Sequence, residues 1–151
     1  MSQSSFKYPP GGLLQVKGVV SKKELLDPKQ RDANGDPCLL VIKNGTATGV
    51  TLGRGTGLQS IVRTYNKQGV EATSWELAIY PYDKEHAPFS QGGDSGSIVV
   101  DGEGQIVGMI TGGTNGIQTS SADVTYVTPY HWLQDRIAEA FPNSFHYPIQ
   151  K

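Results

Sequence analysis

Apolar and polar positions alternate in short runs along most of the chain, and turn residues break them every few positions. Residues 1 to 12, MSQSSFKYPPGG, carry no periodic pattern and are interrupted by Pro9-Pro10 and Gly11-Gly12. That composition suits a flexible lead-in. Leu13 to Val20 reads as a short strand. Ser21 followed by Glu24 makes a capping-box pattern, so Lys22 to Leu26 is expected to form a helical turn that Asp27-Pro28 stops. Lys29 to Pro37 is loop, with Asn34-Gly35-Asp36 as its turn.

From Cys38 the pattern becomes that of strands. Cys38 to Lys43 (CLLVIK) is a nearly continuous apolar run closed by Asn44-Gly45, a hairpin signal, with Ala47 to Leu52 as the partner strand. Further strands are expected at Leu58 to Tyr65 and Ser74 to Tyr80, joined by a turn at Asn66 to Gly69. Ser97 to Val100 and Gln105 to Ile110 form another hairpin across Asp101-Gly102-Glu103-Gly104, and a last strand runs from Asp123 to Val127. Thr128 is the expected cap of a terminal helix that begins at Pro129, with Trp132, Ile137, Ala138 and Phe141 as its apolar face. Six or seven strands followed by a helix outline a small antiparallel barrel. The chain divides into a lead-in (1–37), a barrel with its helix (38–141) and a tail (142–151).

Composition narrows this picture. At 151 residues, 36% hydrophobic and 18% charged, the chain has the length and balance of one globular domain, and 19 glycines favour β structure with many turns. A net charge of -1 gives no reason to expect a nucleic acid or an anionic membrane as partner. No run is long and apolar enough to span a bilayer, and the first twenty residues lack a secretory core. The one cysteine, Cys38, excludes an internal disulfide framework and reads as a buried small hydrophobe. These features favour a reducing, cytoplasmic setting, or a fragment separated from its upstream context. No cluster has metal-ligand spacing, and neither a metal nor a cofactor is expected.

Several local motifs take a structural reading. Asn44-Gly45-Thr46 is a glycosylation sequon but is better explained as a turn. Gly53-Arg54-Gly55-Thr56-Gly57 lacks the Gly-Lys-Ser/Thr ending of a phosphate loop and reads as a bend or bulge. Trp75 and Tyr80 are expected in the core or at a barrel end.

The chemistry concentrates in Gln91-Gly92-Gly93-Asp94-Ser95-Gly96-Ser97, followed by Ile98-Val99-Val100. A nucleophilic serine needs a tight turn that exposes its hydroxyl, and backbone N–H groups aimed at a developing oxyanion. Flanking glycines permit such a turn and the close approach of a carbonyl. Sixteen positions after Ser95 comes Thr111-Gly112-Gly113, then Val124-Thr125-Tyr126-Val127-Thr128-Pro129 and a helix bearing a Trp; Lys43 to Gly49 stands upstream.

With these motifs in this order, the chain resembles the chymotrypsin/trypsin-like serine proteases over about Cys38 to Phe141, with uncharacterised fungal trypsin-like proteins closest. The resemblance implies a six-stranded antiparallel Greek-key barrel, the second barrel of that fold, with a C-terminal helix. It implies Ser95 as nucleophile and the N–H groups of Gly93 and Ser95 as oxyanion hole. Asp94 would orient the loop through a cationic partner. Bacterial members often supply an arginine where Thr46 stands, which leaves Arg54 as the substitute candidate. Phe89 and Ser90 would form the base of the primary pocket, with Thr111, Gly112 and Gly113 along its side. With no acid at Phe89, the pocket is expected to be uncharged, and Asp123 is placed one residue outside it.

A serine of this type needs a histidine base oriented by a carboxylate. Of the three histidines, His131 and His146 follow Ser95 and His86 precedes it by nine residues, and none has the family's setting. The residues ahead of Cys38 are too few for a first barrel, since strands average about five to six residues. Two readings stay open. One is the nucleophile-bearing half of a serine endopeptidase, inactive alone, completed by an N-terminal barrel from the full-length protein or another chain and acting on a peptide or protein. The other is a non-catalytic peptide- or protein-binding domain that takes an extended segment along Thr111 to Gly113. A lone second barrel is also expected to self-associate through the face that a first barrel would cover.

Overall fold

The computed structural model describes residues 16–32, 34–65, 67, 69, 71–83, 87–114 and 123–144. Its elements are β1 (Gly18–Val19), α1 (Lys22–Leu26), β2 (Leu39–Gly45), β3 (Gly49–Tyr65), β4 (Glu71–Pro81), β5 (Ile98–Asp101), β6 (Gln105–Gly113), β7 (Thr125–Pro129) and α2 (Tyr130–Ala140).

Six of the strands close into a ring in the order β6, β5, β2, β3, β4, β7 and back to β6, and every pairing in the ring is antiparallel. β2, β3 and β4 follow one another as hairpins, and β5 returns beside β2. That 4-1-2-3 arrangement is a Greek key. Its crossover, from β4 to β5, is the segment that carries Ser95. β1 adds one short parallel pairing outside β6, with Gly18 opposite Gln105.

The interior follows from strand alternation. Along β2, Leu39, Val41 and Lys43 all face inward, and all three are buried. Leu77, Ile79, Phe89, Val99, Val107 and Val127 complete the core with them. Cys38 is 1% exposed at the head of β2, and burial pushes its thiol up. α1 forms where the capping pattern predicts it, with the Ser21 hydroxyl accepting from the Glu24 N–H at 3.2 Å, and Leu25 seals one side of the core.

The strands expected at Ala47 to Leu52 and Leu58 to Tyr65 are one strand. β3 runs through the glycine-rich segment with a bulge between Gly55 and Gln59, as the bend reading anticipated. Gly57 fits there because a side chain would strike the Leu26 carbonyl at 2.5 Å. The β2–β3 turn comes later than Asn44-Gly45: those two residues pair with Val50 and Gly49, and Thr46 to Thr48 make the turn.

The start of α2 also differs. Pro129, not Thr128, is its N-cap, because the Thr128 hydroxyl is already committed to Glu76 Oε2 at 2.7 Å. Trp132 (51% exposed) and Phe141 (66%) do not face the core; Tyr130 is the buried residue of the helix. Trp75, expected in the core or at a barrel end, is outside the core: it is 59% exposed and stands opposite Ile61, itself 59% exposed, where the β3–β4 hairpin runs past the ring.

Candidate active site around Ser95

The crossover between β4 and β5 ends in a tight loop whose backbone bonds to itself and then to β6. The Asp94 N–H donates to the Gln91 carbonyl at 3.0 Å, and the Ser97 N–H to the Asp94 carbonyl at 3.0 Å. The Gly96 N–H donates to the Ile110 carbonyl at 2.8 Å, and the Ile110 N–H to the Ser97 carbonyl at 3.0 Å. Gly93 (φ 105°) and Gly96 (φ 87°) hold left-handed conformations that a side chain would strain. Between them Ser95 is exposed while its neighbour Asp94 is fully buried. Among the described residues, the Ser95 hydroxyl and the N–H groups of Gly93 and Ser95 make no hydrogen bond. These are the groups that acyl transfer to a serine requires: an accessible hydroxyl and two uncommitted donors beside it.

Asp94 anchors this loop to the β2–β3 hairpin. Its Oδ1 accepts the N–H groups of Ala47 at 2.8 Å and Thr48 at 3.2 Å. Its Oδ2 accepts the Thr48 hydroxyl at 2.6 Å, the Gln91 N–H at 3.1 Å and Lys43 Nζ at 3.1 Å. Lys43 Nζ donates as well to the Gly49 carbonyl at 2.9 Å and to the Thr48 hydroxyl. Both side chains of the ion pair are wholly buried. Burial alone would raise the Asp94 carboxyl, but the bonds from Thr48, Gln91, Ala47 and Lys43 outweigh it and hold the group well below the usual carboxylate range.

The expected cation, Arg54, does not reach this site. It lies across the β2–β3 pair from Leu40 and binds Asp32 Oδ2 at 2.6 Å. Lys43 takes the role because it is the inward position at the end of β2, directly below the turn that wraps the carboxylate. Gly45 is what permits that wrapping, since a Cβ there would fall 2.3 Å from Asp94 Oδ1.

The expected pocket residues separate into two groups. Phe89 is fully buried with the core, where its carbonyl accepts the Thr51 hydroxyl at 2.6 Å, so it supports its segment from within and presents no ring to a cleft. Ser90, 2% exposed, shares a hydrogen bond of 2.7 Å with the buried Thr125 hydroxyl. Thr111 is exposed at a second bulge, between Ile110 and Gly112, and Gly112 and Gly113 pair with Tyr126 and Thr125. On the opposite side β5 pairs with β6 only as far as Met109 and Ile110 bonds Gly96 and Ser97, so the backbone of Thr111 to Gly113 has no strand partner there among the described residues.

No hydrogen bond joins His131 to the Ser95 loop among the described residues. α2 follows the end of β7 at Pro129, which stands opposite Gly108, and the charges that act on His131 are those of Lys22 and Asp135. His131 is half-buried there with Nδ1 unbonded, and burial lowers its pKa. His86 and His146 lie outside the described residues.

No protein-family model and no curated protein matches the sequence. Solved structures do. The chymotrypsin of Cellulomonas bogoriensis is 21% identical with a TM-score of 0.51, covering 90% of this chain and 57% of its own. Protease A of Thermobifida fusca is 22% identical with a TM-score of 0.50, covering 87% of this chain and 56% of its own. Identities this low show the fold, and the chain has the fold of the trypsin-like serine proteases, in a form consistent with the C-terminal barrel. It spans a little over half the length of either enzyme.

Proposed function

We propose that this chain is the nucleophile-bearing half of a serine endopeptidase, with Ser95 forming the acyl-enzyme. The observation that carries the reading is the Ser95 loop: an exposed serine beside two uncommitted N–H groups, with Asp94 fastened to the neighbouring hairpin by four hydrogen bonds. In the reaction, the Ser95 Oγ attacks the scissile carbonyl, and the Gly93 and Ser95 N–H groups take the negative charge that develops on its oxygen. An extended peptide pairs with the open backbone of Thr111 to Gly113, which brings its carbonyl to the serine.

The proton of Ser95 has to leave to a base. His131 makes no bond to the Ser95 loop, and on this reading the histidine and its carboxylate are supplied by a first barrel, in the same protein or in a partner chain. The chain alone is therefore expected to be inactive. Peptide hydrolysis by the longest natural form, set beside its Ser95→Ala variant, tests this. Cleavage that disappears in the variant supports the reading, and equal rates in the two overturn it.

The open edge at Thr111 to Gly113 also favours a second reading, a peptide-binding domain without catalysis. Under it, Ser95→Ala leaves peptide affinity unchanged and no cleavage is seen in any form of the protein.

A further inference from the structure

The β3–β4 hairpin outruns the ring that it helps to close. β2 pairs with β3 only as far as Gly55, and β7 pairs with β4 only from Leu77 to Ile79. Past those points β3 and β4 pair only with each other among the described residues, in unbroken register from Gln59 opposite Leu77 to Tyr65 opposite Glu71. The result is a two-stranded ribbon about 20 Å long at 3.3 Å per residue. A lone pair of strands is marginal in water and gains stability when an apolar face packs on something else.

The two faces of this ribbon differ. Residues directly opposite one another share a face, and strand alternation carries the face of buried Leu77 outward through the Ile61–Trp75 pair to Arg63, Thr73 and Tyr65. The other face carries Ser60, Thr64, Ala72 and Ser74, with Val62 as its one larger apolar residue. On the first face Ile61 and Trp75 are 59% exposed and Tyr65 is 68% exposed. The apolar inner face of the barrel thus continues onto the ribbon, where no described segment covers it.

We propose that this face is covered by the same face of a second copy of the chain, with a two-fold axis crossing the strands at the level of the Ile61–Trp75 pair. Such an interface is self-complementary, since each apolar centre meets its own copy. Charge agrees with it. Arg63 is the described charged residue on the face, two positions from the axis, so the two copies hold their Arg63 residues to opposite sides. At 3.3 Å per residue they stand about 13 Å apart along the strands, beyond the screening length of about 8 Å.

Area agrees as well. At their exposures Trp75, Tyr65 and Ile61 together offer about 350 Å². Two copies hide about 700 Å² of those side chains, and the flanking ribbon brings the total near the roughly 1,000 Å² that a specific interface needs. Trp, Tyr and Arg are also the residue types that carry most binding energy at interfaces. An interface of this size is weak, with a dissociation constant on the order of 10 µM. The inference does not rest on the protease reading.

Sedimentation velocity of the 151-residue chain, from well below to well above that concentration, tests the proposal. A monomer–dimer equilibrium is expected. Trp75→Lys should weaken it at least about thirtyfold, the effect of a residue central to an interface. Trp132→Lys, on the exposed surface of α2, should leave it unchanged. If Trp75→Lys does not fold, the Trp132→Phe chain decides, because it keeps Trp75 as its one tryptophan. Acrylamide quenching of Trp75 should fall as the dimer forms. A monomer at every concentration overturns the proposal. So does a dimer that Trp75→Lys leaves intact, or one that leaves Trp75 equally quenched. A chain that stays monomeric while Trp75 is protected in the longest natural form also overturns it, and assigns the ribbon to another segment of that protein.

Discussion

Asp94 and Asp32 collect nearly the same set of partners and do different work with them. Each accepts two backbone N–H groups on one oxygen and a cation on the other. The donors to Asp32 lie within four residues, at Asn34 and Asp36, and its cation, Arg54, is 30% exposed. The hairpin donors to Asp94 lie 46 to 51 residues away, and its cation is wholly buried. Asp32 therefore finishes a local turn whose residues are already neighbours in the chain. Asp94 joins two distant segments, and the loop it joins is the one that presents Ser95. Hydrogen-bond chemistry is shared between them; sequence separation and burial decide which aspartate organises a site.

That contrast sets the scale of what substitutions should do. The largest effect belongs to Asp94→Ala, which strands Lys43 as an uncompensated buried charge. A loss of about 3–5 kcal/mol is expected by denaturant titration, whereas a loss no greater than that of Asp32→Ala would erase the distinction drawn above.

Gly45→Ala comes next. Its Cβ would strike Asp94 Oδ1, and separating the hairpin from the loop is expected to cost about 1–3 kcal/mol, in the range of other overpacking changes. Gly35→Ala, in the turn that Asp32 closes, meets no atom within 4 Å, but its φ of 85° strains any side chain. It is expected to cost about 1–2 kcal/mol, and it changes no contact with the Ser95 loop.

Acid should separate the two carboxylates further. Because Asp94 is depressed in the fold, its contribution is complete above the unfolded carboxyl pKa of about 3.9 and fades as pH falls below it. Stability measured from pH 5 downward should drop for the unaltered chain and drop less for Asp94→Asn. A residual slope is expected from Asp32, which is lowered first by the Asp36 N–H. Superimposable curves would mean that Asp94 carries no such linkage.

Smallest is Arg54→Ala. A partly exposed pair is screened by solvent, so the denaturation midpoint should move by a small fraction of the Asp94→Ala shift, and the difference should fade in high salt.

The same contrast explains what was legible in the sequence. Local signals held: the Ser21 and Glu24 cap and the bulge in the glycine-rich segment are each written in adjacent residues. Long-range partners were harder. Lys43 follows Leu39 and Val41 at a spacing of two, so strand parity alone marks it as an inward cation that must find a buried acid, yet it reads as the polar end of an apolar run. Asn44-Gly45 looks like a turn because a turn is the usual reason for that pair. Here Gly45 is needed for the approach of Asp94, 49 residues on. Thr128 looked like a helix cap because Glu76, which takes its hydroxyl, is 52 residues away.

Intact-mass spectrometry of the longest natural form after exposure to a fluorophosphonate is the most direct check on the role given to Ser95. One adduct is expected, mapping by peptide analysis to Ser95 and absent from Ser95→Ala. An unmodified mass, or an adduct that persists in that variant, would contradict it.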